Sequence, residues 1–300
     1  CPFLHFVRYG LNLKDKDAGE LSNLNIGNIL HNVAKLFIDS NHLPIEESLV
    51  AQKAERCFVE VINRDVYESV KNNPFNKVLI KNLLNEAKRF CGVLNYQSRF
   101  SKFKAFKTEV RLDDKTNIKS LKIKVGNKIL KLVGQVDRID KFENYFRIID
   151  YKTGRCDTSL KELFFGKKVQ LEAYLKVIEN SLKLKPAGSY YMPVKSGIAD
   201  ESSTMQLKYQ LKGRTVLDDD IIIASDAKLS TDCLSSDIIE VKFNKPDKDG
   251  NKNLSAYAKV ATKKDMEILS NYAVDIIGRM CEDILSLNIT PSPLVFSASD

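Results

Sequence analysis

The sequence predicts a mixed α/β fold: helices in the first hundred residues, three or four strands, then a helix and a further strand. Three observations carry this. Apolar residues recur at helical spacing from Ile26 onward, apolar–charged alternation takes over near Leu121, and helical spacing returns after Lys152. The chain has 300 residues, 43% apolar and 29% charged, with 13 glycines and 8 prolines. That composition can bury a sizeable core. It excludes a wholly disordered chain, a collagen-like repeat and a disulfide-rich miniprotein.

Ile26, Ile29, Leu30, Val33, Leu36 and Phe37 predict a helix over 26–40. Pro44 opens a second helical stretch, with Glu46 and Glu47 in the first turn, where acids suit the helix dipole. Pro74 breaks the pattern, and a third helix is expected over 77–96. Past Phe103 the character changes. Leu121, Ile123 and Val125 alternate with Lys122 and Lys124, and Gly126-Asn127 suits a two-residue hairpin turn. A second strand is expected over 128–139. A turn at 142–144 and a third strand over 145–152 complete an antiparallel meander, which Thr153-Gly154-Arg155 ends.

Leu171, Tyr174, Leu175 and Ile178 predict a helix over 167–182, closed by Pro186, and 188–194 reads as a strand. The 195–261 stretch reads as an elaborated loop or hairpin insertion containing a strand-like Ile221-Ile222-Ile223. A last amphipathic helix is expected over 263–287. No internal repeat or low-complexity linker is visible. One domain over 1–300 is expected, with a helical part (1–100), a core (101–194), the insertion (195–261) and a C-terminal helix and tail (262–300).

Lys and Arg number 47 against 39 Asp and Glu, a formal charge of +8. Between Gln97 and Gln135 eleven basic residues stand against three acids, Glu109, Asp113 and Asp114, so this window holds the whole excess. Such a stripe suits a phosphate backbone. It also suits a solvated face of Lys-rich strands. No apolar run reaches the roughly 18 residues of a membrane span. Cys1, Cys57, Cys91, Cys156, Cys233 and Cys281 are scattered, with no CxxC or Cys/His cluster. That argues against a zinc knuckle and suits reduced thiols of a cytoplasmic protein. No GxxxxGKS/T motif is present, so no phosphate-binding loop is expected. The chain opens on Cys1 rather than Met. A processed lipoprotein, an expression boundary and a piece of a longer protein are the three readings, and Pro2 makes the first unattractive.

Chemistry concentrates where the second and third strands meet. Residues i and i+2 of a strand share a face, so Asp150 and Lys152 project together. The short turn between the strands brings Asp137 near Asp150. Two close carboxylates repel, and a hard divalent cation relieves the repulsion. Mg²⁺ fits, since it takes one or two carboxylates plus waters and phosphate oxygens. Tyr151, between the two side chains, offers its backbone carbonyl. The metal lowers the pKa of bound water. A Lys beside it orients that water or stabilises charge on the phosphoryl group. Asp137, Asp150 and Lys152 are therefore candidate catalytic residues for phosphodiester hydrolysis. On these three residues alone, Asp150 and Lys152 also read as an ordinary surface ion pair.

A longer arrangement is more specific. Gly27-Asn28-Ile29-Leu30-His31 is followed by Gly134-Gln135-Val136-Asp137-Arg138-Ile139-Asp140, then Ile149-Asp150-Tyr151-Lys152-Thr153-Gly154, then Gln170-Leu171-Glu172-Ala173-Tyr174. This order resembles the PD-(D/E)XK nuclease superfamily, in the branch of RecB- and AddB-type nucleases and CRISPR-associated exonucleases. The resemblance implies a restriction-endonuclease-like core, a mixed central sheet flanked by helices. It implies Mg²⁺ held by His31, Asp137, Asp150 and the Tyr151 carbonyl. Lys152 becomes the base partner or electrostatic stabiliser, and Gln170 and Tyr174 face the site and the DNA strand. Tyr174, among Leu171 and Leu175, also reads as a core residue. Glu109 resembles an acidic position common in the branch, with no role assigned. Arg138 and Asp140 are expected to brace the hairpin.

Cys1-Pro2-Phe3, Tyr9-Gly10-Leu11, Leu211-Lys212-Gly213 and the terminal helix before Pro291 narrow the resemblance to the nuclease region of AddB-type subunits. These imply DNA as substrate, double-strand break repair as setting and an AddA-type helicase–nuclease as partner. They also imply a 4Fe–4S cluster held by one Cys before the core and three closely spaced Cys after it. Cys1 matches the first, and the later three are missing. The expectation is a fragment that cannot close the cluster alone. The alternatives are a catalytically inactive nuclease-fold DNA-binding module, an exonuclease of the CRISPR-associated kind, and a lipoprotein anchored through Cys1.

Overall fold

The computed structural model describes residues 10–11, 21–113, 118–195, 205–230, 233–248 and 252–286. Cys1, Pro2, Phe3, Tyr9 and Pro291 lie outside the described residues.

The first third is a helical layer. Ser22 accepts the Asn25 backbone N–H and caps α1 (Asn23–Asp39). Next come α2 (Glu47–Ile62), the short α3 (Glu68–Asn72) and α4 (Lys77–Phe100). Their apolar stripes meet through Ile29, Leu30, Val33 and Phe37 of α1, Val50, Ala54 and Phe58 of α2, and Phe90 and Leu94 of α4. α4 runs a turn beyond the expected end, because Phe100 still packs against this core and the Ser101 N–H still reaches Gln97 O.

Strands follow: β1 (Lys104–Leu112), β2 (Leu121–Val125), β3 (Lys128–Leu132), β4 (Gly134–Phe142) and β5 (Tyr145–Lys152). Then come α5 (Leu160–Phe164), α6 (Gln170–Leu182), β6 (Lys185–Pro193), α7 (Met205–Lys208), β7 (Lys212–Val216), α8 (Asp219–Ser225), β8 (Val260–Ala261) and α9 (Lys263–Leu285). Six strands form a mixed sheet in the order β1-β4-β5-β6-β7-β8. β4 is antiparallel to β1 and β5, and β6 returns parallel to β5 after the α6 crossover. One sheet face packs Ile149, Tyr151, Tyr190 and Met192 on the helical layer. The other packs Ile139, Phe146 and Ile148 on Leu171, Leu175 and Ile178 of α6, with Met266 of α9. This is the mixed sheet between helical layers that the sequence predicts. Among the described residues, no helix is long and apolar enough to cross a membrane.

Three expectations are corrected. The strand expected over 128–139 breaks at the exposed Val133. β3 folds back on β2 through Gly126 in the left-handed region, while β4 joins the main sheet, so β2 and β3 form a separate ribbon outside the meander. Ile221-Ile222-Ile223 lies in helix α8, not a strand. A short apolar run does not distinguish the two, and Asp219 and Asp220 suit a helix N-terminus. The 195–261 stretch is not simply looped out: β7 pairs with β6 over Gly188–Tyr191 and β8 extends the sheet. Smaller shifts occur at α6, which starts at Gln170 after a turn at Gly166 (φ +73°), and at β6, which spans Lys185–Pro193.

Candidate active site

The β4–β5 ladder runs from Phe142↔Tyr145 to Arg138↔Ile149. Asp137 and Asp150 lie one step beyond it. Asp137 Oδ2 accepts the Tyr151 backbone N–H at 2.6 Å, and its Oδ1 lies 3.6 Å from His31 Nδ1. α1 delivers His31, whose ring meets the Tyr151 ring edge-on with centroids 5.3 Å apart. Gly27, one turn earlier, lets α1 come close to the end of β5: a Cβ there would stand 3.3 Å from Thr153 Cγ2.

The sequence assigned Glu109 no role, and the structure brings it to the site. β1 pairs with β4 at Thr108↔Arg138 and Val110↔Val136, which sets Glu109 across from Asp137. Its φ of +48° is a strained value for a non-glycine residue. Gln135 Nε2 donates to Glu109 Oε2, while Oε1 is buried with no hydrogen-bond partner. His31, Glu109 and Asp137 present ligand atoms within 4.8 Å of one another.

The site carries a strong negative field. Burial and the charge of Asp137 push Asp150 up to about 6, against the pull of Lys152. Burial and Asp137 also raise Glu109. Burial pulls His31 down, but its bond to Asp137 and the charges of Asp137, Glu109 and Asp150 outweigh this, so its net direction is up. A divalent cation would relieve all three. Hard carboxylate oxygens, one of them buried and unpartnered, are the donors Mg²⁺ takes. His31, Glu109 and Asp137 are the side chains that could share it; Asp150 stands beside Asp137 but outside that group, with its Oδ2 on Lys152.

Lys152 Nζ lies 2.6 Å from Asp150 Oδ2, donates to Gln170 Oε1 at 3.2 Å, and sits over the Tyr191 ring. Asp150 is only 4% exposed, so this is not a solvated surface pair. Gln170 opens α6. Tyr174, one turn on, packs against the core and rests its hydroxyl end over Gly134, where a Cβ would overlap it. Gly134→Ala should displace Tyr174 and destabilise the fold by about 1–3 kcal/mol, which urea denaturation checks.

The basic stripe divides. Lys122, Lys124, Lys128 and Lys131 lie on the β2–β3 ribbon. Lys107 and Arg111, with Lys35 of α1, instead line an open groove of about 590 Å³ that includes Glu109.

Over residues 1–291 the chain matches the family model of the PD-(D/E)XK nuclease superfamily. This chain belongs to that superfamily. It is similar to proteins named as the B subunit of an ATP-dependent helicase/deoxyribonuclease. The one from Clostridium tetani is 31% identical, that from Clostridioides difficile 28%, each over 98% of this chain, and that from Staphylococcus aureus 27% over 82%. The chain spans 27% of the length of the first two and 24% of the third.

Within this nuclease-superfamily fold, His31, Asp137, Asp150, Lys152 and Gln170 meet at one end of the sheet. Arg138 and Asp140 form an ion pair on β4, joined by Arg147, whose part had no sequence signal. Cys1 lies outside the described residues. Cys57 and Cys91 are buried, and the only metal-capable group of three among the described residues is His31, Glu109 and Asp137. A 4Fe–4S cluster thus finds no ligand set among the described residues.

Proposed function

We propose that this chain is the Mg²⁺-dependent DNA-cleaving domain of the B-type component of a helicase–nuclease. It would act as an exonuclease in double-strand break repair and recombination, beside an A-type helicase–nuclease partner. The observation that carries this is the convergence of Asp137, Asp150 and Lys152 with His31 and Glu109. The names of the similar proteins support the DNA substrate and the partner.

A bound divalent cation supplies Lewis acidity and a water of lowered pKa. His31, Glu109, Asp137, Asp150 and the Tyr151 carbonyl are assigned to hold it, with Asp137 oriented by the Tyr151 N–H. Lys152, held by Asp150 and Gln170, keeps its ammonium where charge gathers on the phosphoryl oxygens. Gln170 and Tyr174 contact the DNA strand. Lys107 and Arg111 guide its backbone without reading sequence. Cys1 is assigned to the cluster only by resemblance, and no step uses it.

In the intact protein, paired with a partner whose own nuclease is inactivated, DNA cleavage should require Mg²⁺ and stop on chelation. Cleavage that survives Asp137→Ala would falsify this reading. Salt-sensitive DNA binding with no cleavage at any Mg²⁺ concentration would make the chain a binding module instead. Lys107→Gln should lower the slope of log affinity against log salt by about 0.7–0.9. An unchanged slope removes Lys107 from the DNA path.

A further inference from the structure

We propose that Arg214 is a positioning residue for the Lys152–Gln170 arm of the site, a proposal that rests on the nuclease reading above. Arg214 stands on β7, two strands away from β5. Its side chain is 11% exposed and that of Glu172 is 6% exposed. One guanidinium nitrogen donates to Glu172 Oε1 at 3.2 Å, and another donates to the Thr158 carbonyl at 2.8 Å. A single planar fork therefore ties helix α6 to the segment that follows Lys152.

The placement of Glu172 matters. It lies two residues after Gln170 and two before Tyr174. Two residues turn a helix by about 200°. Gln170 and Tyr174 thus share one face of α6, and Glu172 anchors the helix from behind. Thr158 lies six residues past Lys152, so the fork controls both elements whose side chains meet at the 3.2 Å Lys152–Gln170 bond. Lys168 adds a second tie to the same segment through Asp157. The residues assigned to the metal stand on α1, β1, β4 and β5, outside this tie.

Stability alone does not call for a charge pair here. Burial pushes the Glu172 carboxyl up, and Arg214 only partly opposes it. A buried ion pair is commonly matched in stability by apolar residues of similar volume. What an apolar pair cannot supply is the donor to the Thr158 carbonyl.

That difference sets the test, made in the intact protein with Arg214→Leu, Arg214→Lys and the double variant Glu172→Leu/Arg214→Leu. Arg214→Leu should lower kcat roughly ten- to a hundredfold. KM for DNA and the Mg²⁺-induced rise in Tm should both be retained. Arg214→Lys should recover part of kcat, since an ammonium reaches Glu172 but does not fork. The double variant should recover Tm but not kcat. Recovery of kcat together with Tm in the double variant would show a purely structural pair and overturn the proposal. So would loss of the Mg²⁺ response together with kcat in Arg214→Leu. A wild-type protein that binds Mg²⁺ and DNA yet cuts nothing fails at an earlier point: the nuclease reading falls and takes the role of Arg214 with it.

Discussion

Asp150→Asn is expected to abolish DNA cleavage and, in the absence of metal, to make the protein more stable above about pH 6. Asp150 is buried next to Asp137, and its pKa rises from 3.8 to about 6 for those two reasons in that order. The folded state therefore holds this proton more tightly than the unfolded chain. The resulting stability is fully present below 3.8 and is lost as pH rises to about 6. The shift corresponds to a loss of about 3 kcal/mol in metal-free protein at neutral pH. Asn keeps the shape and removes the charge, so it escapes that loss. It also removes a carboxylate assigned to the metal. Wild-type Tm should rise with Mg²⁺ at pH 8 and far less at pH 5, and the variant, which keeps His31, Glu109 and Asp137, should respond less than wild type at pH 8. Melting curves in chelator and in Mg²⁺, with cleavage measured in parallel, decide this. A variant no more stable than wild type at pH 8 in chelator would show that the Asp150 charge carries no strain.

Asp140→Ala is expected to destabilise the fold by about 3–5 kcal/mol, the range for breaking a buried pair from one side. Asp140 is fully buried. It accepts from Arg138 Nε at 2.6 Å and from a second Arg138 nitrogen at 2.8 Å, and from Arg147 Nε at 2.9 Å. Burial opposes its charge, but the two guanidiniums outweigh this and hold the carboxyl below its ordinary value. Arg147 also lies 4.8 Å from the centre of the Phe103 ring. Removing Asp140 leaves two buried cations facing each other without an anion. Urea denaturation measures the loss directly, and a change below about 1 kcal/mol would rule the triad out as a brace of β4 against β5.

Much of the site could be read in the chain because its parts are local. Asp150 and Lys152 share a strand face, Gln170 and Tyr174 share a helix face, and the hairpin after Phe142 is short. The rest depends on which strands become neighbours. Glu109 reaches the metal-capable group only because β1 lies on the free side of β4. A separate ribbon parts the two strands in sequence, and no periodicity reports their pairing. The break at Val133 is hidden for the same reason, since apolar and basic residues continue across it.

By itself the sequence determined the mixed α/β class, the helices of the first third, the hairpin turn at Gly126-Asn127 and the motif order from His31 to Tyr174. These follow from periodicity, turn chemistry and short spacings, which act within a few residues. Only the tertiary structure decided that Glu109 joins His31 and Asp137, that Arg147 completes the buried triad with Arg138 and Asp140, and that Arg214 grips α6 through Glu172. It also decided that Ile221–Ile223 is helical and that β7 and β8 extend the sheet. Apart from Arg147, which meets Asp140 across the short hairpin, and α8, whose form is local, each of these contacts joins segments distant in the chain. Its energy comes from burial and charge pairing that exist only once the layers have packed.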